Sequence, residues 1–185
     1  MEKMNVRDLM RPVEEFSRIS SQASLLEAVE ALAKAQQAFM TGQAPQRILL
    51  VEDTAGLIVG KLSPMDVVQG LEPNYSRIDS LKNVSRIGLT TGMLETMKTQ
   101  FRLWEKPLGE LCEKAYRVKI ENFIRLPTPD HLLAADDHMD KAFHLFVVGR
   151  HDSLFVKQGR PIVGLIRFSD VYQKIAQTMR ECPLA

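Results

Sequence analysis

Gly60-Lys61-Leu62-Ser63-Pro64-Met65-Asp66-Val67-Val68 and Gly164-Leu165-Ile166-Arg167-Phe168-Ser169-Asp170-Val171-Tyr172 share one pattern: a glycine, an aspartate six residues on, then an apolar pair. Each reads as a strand running into a helix, and the two copies lie 104 positions apart, from Gly60 to Gly164. The N–H groups at a helix start have no partner within the helix and favour anions. A carboxylate beside them accepts hydrogen bonds from sugar hydroxyls. A duplicated junction of this kind predicts a binding protein with two related sites.

The repeat extends upstream. Ser24-Leu25-Leu26-Glu27-Ala28-Val29 resembles His138-Met139-Asp140-Lys141-Ala142-Phe143, and Val6-Arg7-Asp8-Leu9-Met10 resembles Val118-Lys119-Ile120-Glu121-Asn122-Phe123, at separations of roughly 112 to 114. The first copy therefore carries extra residues. Leu25, Leu26, Val29, Leu32 and Ala33 recur at helical spacing behind Ser24 as N-cap, with Gly42 near the far end, which predicts an amphipathic helix. Residues 47–51 and 56–62 predict a hairpin about Glu52-Asp53-Thr54-Ala55, followed by a helix from Asp66 to Leu71. The second copy predicts a helix from about Met139, strands at 153–157 and 162–167 around Gln158-Gly159-Arg160, and a helix over 169–179.

The expected fold is thus α/β (α+β): two β-α-β-β-α repeats, at 1–72 and 107–185, joined by a helical insertion at 73–106. A unit of roughly 60–70 residues buries too little surface to be stable alone, so the two are expected to pack through their sheets about a pseudo-two-fold axis, with equivalent junctions facing each other. In the insertion, Thr90 or Thr91 caps a helix in which Met93, Leu94, Met97, Phe101 and Trp104 mark one face. That face either packs on its own domain or contacts a second protomer or another protein.

Composition narrows the function. Twenty-four basic against 23 acidic residues leave a formal charge of +1, so no net field draws the chain to nucleic acid or to an acidic membrane. Arg150, His151, Lys157, Arg160 and Arg167 are mildly basic but lack interleaved aromatics, which favours a solvated face. Cys112 and Cys182 form no Cys-x-x-Cys pair, so neither a zinc framework nor a disulfide scaffold is indicated, and reduced thiols fit a cytoplasmic protein. The N-terminus has no long apolar core of the signal-peptide or membrane-span kind. Asp136, Asp137, His138, Asp140 and His144 do not converge as metal ligands, because His138 and His144 fall on different helix faces; an acidic first turn explains the aspartates, and no metal is expected. His131, His144 and His151 lack a nucleophile context, and neither Gly-x-Ser-x-Gly nor a phosphate-cradling glycine loop occurs, so no enzyme is expected.

The duplicated junctions, the order of elements and the Ser-Leu-x-x-Ala style of helix start resemble a tandem pair of CBS domains, the module named after cystathionine β-synthase. The resemblance covers nearly everything except the middle helix. It implies a regulatory module that senses AMP, ADP, ATP or S-adenosylmethionine in the cleft between repeats, assembled as a homodimer and acting on an unknown regulated protein, with no cofactor required. The family pattern places a hydroxyl three residues after the glycine and an aspartate three further on. Ser63 and Asp66, around Pro64, match in repeat one; in repeat two Asp170 matches, but Arg167, beside Phe168, stands at the hydroxyl position.

Ser63 and Asp66 suit a ribose and a phosphate. Arg167 suits bidentate phosphate binding, or else pairs with Asp170 and closes the site. Residues leading into each first strand are expected to line the same clefts: Arg18 and Ile19, and Pro129, Asp130, His131 and Leu132. Ser63-Pro64-Met65-Asp66 is equally a good capping sequence, and Ser169 can cap the last helix with Asp170 at its first position. Under that alternative the chain is a ligand-free dimerisation or scaffolding module.

Overall fold

The structure, a computed structural model, describes residues 4–72, 91–102 and 110–181. Its strands are β1 (Arg11–Pro12), β2 (Ser17–Ser20), β3 (Leu49–Glu52), β4 (Ile58–Leu62), β5 (Leu132–Ala134), β6 (Ser153–Lys157) and β7 (Ile162–Arg167). Its helices are α1 (Leu25–Met40), α2 (Pro64–Leu71), α3 (Thr91–Gln100), α4 (Leu111–Arg117), α5 (Met139–Gly149) and α6 (Phe168–Glu181). The fold is mixed α and β, with two sheets ordered β1-β7-β6-β5 and β2-β3-β4. Both β-α-β-β-α repeats are present in the predicted order. Thr90 and Trp104 lie outside the described residues, whereas Met93 is exposed on α3.

By contact the chain divides into two compact units: one of Met1–Ser17, Ala55–Gly60 and Leu126–Ala185, the other of Arg18–Thr54 and Lys61–Arg125. In the first, β6 runs parallel to β5 and antiparallel to β7, and β1 closes the edge of β7 through Arg11↔Leu165 and Pro12↔Gly164. Gly164 is required by that approach, since a Cβ there would lie 2.5 Å from the Arg11 carbonyl oxygen. Val6, Leu133, Ala135, Met139, Ala142, Phe146, Leu154, Val156, Ile166 and Val171 form its core, so side chains from β5, α5, β6, β7 and α6 close over one another and over a residue from the N-terminal segment. In the second unit α1 packs on α2, α4 and β3. Leu25, Ala28, Leu49, Leu50, Val51, Leu62, Val67 and Ile120 are buried there.

Each repeat's leading segment is bonded to the helix start of the other repeat. Val6 N–H donates to Asp137 O, Arg7 N–H to Ala135 O, and Met139 N–H to Met4 O. The matching bonds run Ile120 to Ala23, Glu121 to Ser21, and Leu25 to Val118. Every partner in the second set corresponds to one in the first at an offset of 114, as Ala23 does to Asp137. Val6 therefore corresponds to Ile120, where the sequence similarity aligns it with Val118. Both residues are fully buried and both begin a 3-10 turn, Val6–Asp8 and Ile120–Asn122.

Local chemistry accounts for the other differences from expectation. Gly56 has φ +75, in the left-handed region that a strand cannot use, so the hairpin turn extends through it and β4 begins at Ile58. On α1 the buried stripe is Leu25, Ala28 and Ala35, rotated from the expected one; Val29 is 46% exposed. Val29 instead joins Leu26, Val67, Leu71, Leu111 and Cys112 in lining an apolar groove of about 250 Å³. α1 starts where predicted, because the Glu27 carboxylate accepts from the Ser24 N–H and hydroxyl at 2.7 and 2.8 Å while Glu27 N–H donates back to Ser24 Oγ. Those two bonds, that from the backbone N–H foremost, hold the Glu27 carboxyl below its ordinary value.

Candidate functional site

At the repeat-one junction β4 delivers Ser63 as the N-cap of α2, with Pro64 at the first helical position, where its missing N–H leaves no bond unmade. Asp66, two residues on, turns its carboxylate back. Its Oδ2 accepts from the Ser63 N–H at 2.8 Å and from the Ser63 hydroxyl at 2.6 Å. Both bonds fall on one oxygen, so Oδ1 keeps its lone pairs for another donor. Ser63 and Asp66 are half-buried and Pro64 is exposed.

At the repeat-two junction the same geometry carries different chemistry. Arg167 takes the place of Ser63 and Asp170 is again the third helical residue, because α6 begins at Phe168 with its N–H bonded to Asp152 O. The expectation that Ser169 caps this helix with Asp170 at its first position is corrected accordingly. Arg167 donates Nε to Asp170 Oδ2 at 2.7 Å and Nη2 to Oδ1 at 2.6 Å, a bidentate pair. Arg11 adds Nε to Oδ2 at 3.4 Å and reaches Glu15 at 3.3 Å.

Asp170 is only 8% exposed. Burial pushes its carboxyl upward, but the hydrogen bonds from Arg167 and then Arg11 outweigh this and hold it below its ordinary value. The bond to Asp170 in turn raises Arg11. Arg11 is a partner of this junction that sequence reasoning missed. It lies 159 positions from its partner and belongs to no motif.

The remaining candidates sit on or just before β2 and β5, apart from Phe168, which begins α6. Arg18 and Ile19 are on β2, which is separated from β4 by β3, and Arg18 lies 3.8 Å from Glu52. Pro129, Asp130 and His131 form a 3-10 turn leading into Leu132 and β5, which β6 separates from β7. In each sheet one strand thus intervenes between the strand that leads to a junction and the strand that the other candidates occupy or enter. Within the turn Thr128 Oγ1 bonds Asp130 and lies 2.7 Å from His131 Nδ1. The Thr128 bond is the largest of the causes that lower the Asp130 carboxyl. Phe168 is 45% exposed and meets Phe146 edge-on at 5.5 Å.

Searches against protein-family models and against curated proteins return no match. Solved structures do match over nearly the whole chain. A CBS domain-containing protein of unknown function from Bacillus anthracis aligns with TM-score 0.58 at 14% identity, covering 95% of each chain. CBSX2, solved in complex with AMP, aligns with TM-score 0.57 at 15% identity over 95% of this chain and 98% of its own. A further CBS domain-containing protein of unknown function, from Kribbella flavida, aligns with TM-score 0.53 at 20% identity over 94% and 98%. The chain has the fold of a tandem CBS-domain pair.

Proposed function

We propose that this tandem CBS fold is a regulatory module that binds an adenosine compound, AMP, ADP, ATP or S-adenosylmethionine, at its strand-to-helix junctions, with Asp66 as the ribose-accepting carboxylate. The geometry of Asp66 carries the proposal: a half-buried carboxylate at a helix start, fixed through Oδ2 by Ser63, keeps Oδ1 for a ribose hydroxyl. Ser63, Pro64, Arg18 and Ile19 complete that wall in the second unit. Pro129, His131, Arg167 and Phe168 belong to the equivalent wall in the first. There Asp170 is committed to two guanidiniums, so repeat one is the ribose site. The AMP complex of CBSX2 supports the choice of ligand class. Regulation follows if two arrangements of the protein differ in affinity for the ligand.

Titration calorimetry of the purified chain against the four ligands tests this. One of the four is expected to bind, and Asp66→Asn to weaken it about tenfold or more, the scale of ~1.5–3 kcal/mol for hydrogen bonds to a charged group. Silence from all four in folded protein overturns it. The competing reading is a ligand-free dimerisation or scaffolding module, favoured by the Ser63–Asp66 cap and the closed Asp170. Absorbance near 260 nm that survives dialysis excludes that reading. A homodimer is part of the proposal, and the exposed apolar side chains of Val147, Val148, Tyr172 and Met179 are consistent with it; light scattering measures it.

A further inference from the structure

Asp130, His131 and His151 bring a carboxylate and two imidazoles together, with one ligand atom from each lying within 4.8 Å of the others. Nδ1 of His131 is 3.5 Å from Asp130 Oδ1, and Nε2 of His151 is 3.9 Å from Asp130 Oδ2. The two imidazole centroids are 4.0 Å apart. We propose that this trio binds one divalent transition-metal ion of the zinc class, with water completing the shell.

Nitrogen and carboxylate ligands about 2.0–2.2 Å from a tetrahedral ion stand about 3.4 Å from one another, so ligand atoms now within 4.8 Å draw in by up to ~1.4 Å on binding. Two imidazoles with a single carboxylate suit borderline ions and not magnesium or calcium, which take oxygen shells.

The scaffold holds these groups from two directions. Asp130 and His131 sit on the 3-10 turn before β5, while His151 follows α5. The His151 ring rests against Gly149, where any Cβ would overlap it, so only glycine leaves the imidazole in this place. His151 is 14% exposed at its side chain, with Nε2 itself covered, and acts as the fixed inner ligand; Asp130, at 55%, forms the open side from which an ion enters. Thr128, now 2.7 Å from His131 Nδ1, keeps its bond to Asp130 when Nδ1 turns to metal. The trio is separate from the His138 and His144 pair, whose helix spacing forbids convergence.

The test uses the tag-free full chain, stripped with EDTA and titrated with Co²⁺, then with Zn²⁺. One equivalent of Co²⁺ is expected to give visible d–d bands that Zn²⁺ abolishes. Asp130→Asn and His151→Gln are each expected to weaken binding about tenfold or more, since losing even an outer-shell partner has that effect, and His144→Gln to leave it unchanged. Absence of the bands in wild type, or an unchanged Co²⁺ affinity in Asp130→Asn, overturns the proposal. Asp130 is exposed, so its variant decides the question even if His151→Gln fails to fold.

Discussion

Asp170 gives the chain a pH signature at the scale of one residue. Its carboxyl is held below the ordinary unfolded value of about 3.9 because Arg167 and Arg11 outweigh the opposing effect of burial. A folded value lower than the unfolded one means that the stabilisation is complete above about pH 4 and disappears as pH falls through the folded value. Thermal melts of wild type and Asp170→Asn should therefore differ most near neutrality and converge in acid. At neutral pH Asp170→Ala should lose ~1.5–3 kcal/mol, the worth of hydrogen bonds to charged groups, or roughly 3–12 °C in Tm. Its affinity for an adenosine ligand should stay within about twofold, in contrast to Asp66→Asn; calorimetry on both variants makes the comparison.

At the scale of elements, helix starts and close strand pairs dominate. Ser24→Ala removes the cap that bonds Glu27 in both directions and should cost about 1 kcal/mol, read from denaturant unfolding. Gly164→Ala drives a methyl into the Arg11 carbonyl and should displace β1 from β7, lowering Tm and raising hydrogen exchange at 11–16; an unchanged melt would refute this pairing.

Much of the fold is legible in the sequence, because both Gly-to-Asp junctions and the strands Ser153–Lys157 and Ile162–Arg167 depend on local pattern. Helical periodicity marks too broad a buried stripe on α1. Leu26 and Val29 satisfy that periodicity but line a groove beside α2 and α4 instead of the core. Arg11 is beyond the reach of sequence, since a guanidinium brought to Asp170 from 159 residues away leaves no mark in spacing or composition.

For the whole molecule, the governing feature is the reciprocal exchange of leading segments. Val6, from the chain's beginning, completes a core built otherwise from residues of the second repeat, and Ile120 N–H bonds the start of the first. Deleting residues 1–10 should therefore deprotect amides at 135–139 while those at 21–25, held by 118–121, retain their hydrogen-exchange protection. No described helix is long and apolar enough to cross a membrane. Backbone amide NMR of the full chain during titration with AMP is the most direct measurement of ligand binding at the repeat-one junction. The expected result is saturable shifts largest at Ser63 to Val67, with a midpoint about tenfold higher or more in Asp66→Asn; shifts that avoid 63–67, or an unchanged midpoint in Asp66→Asn, would contradict it.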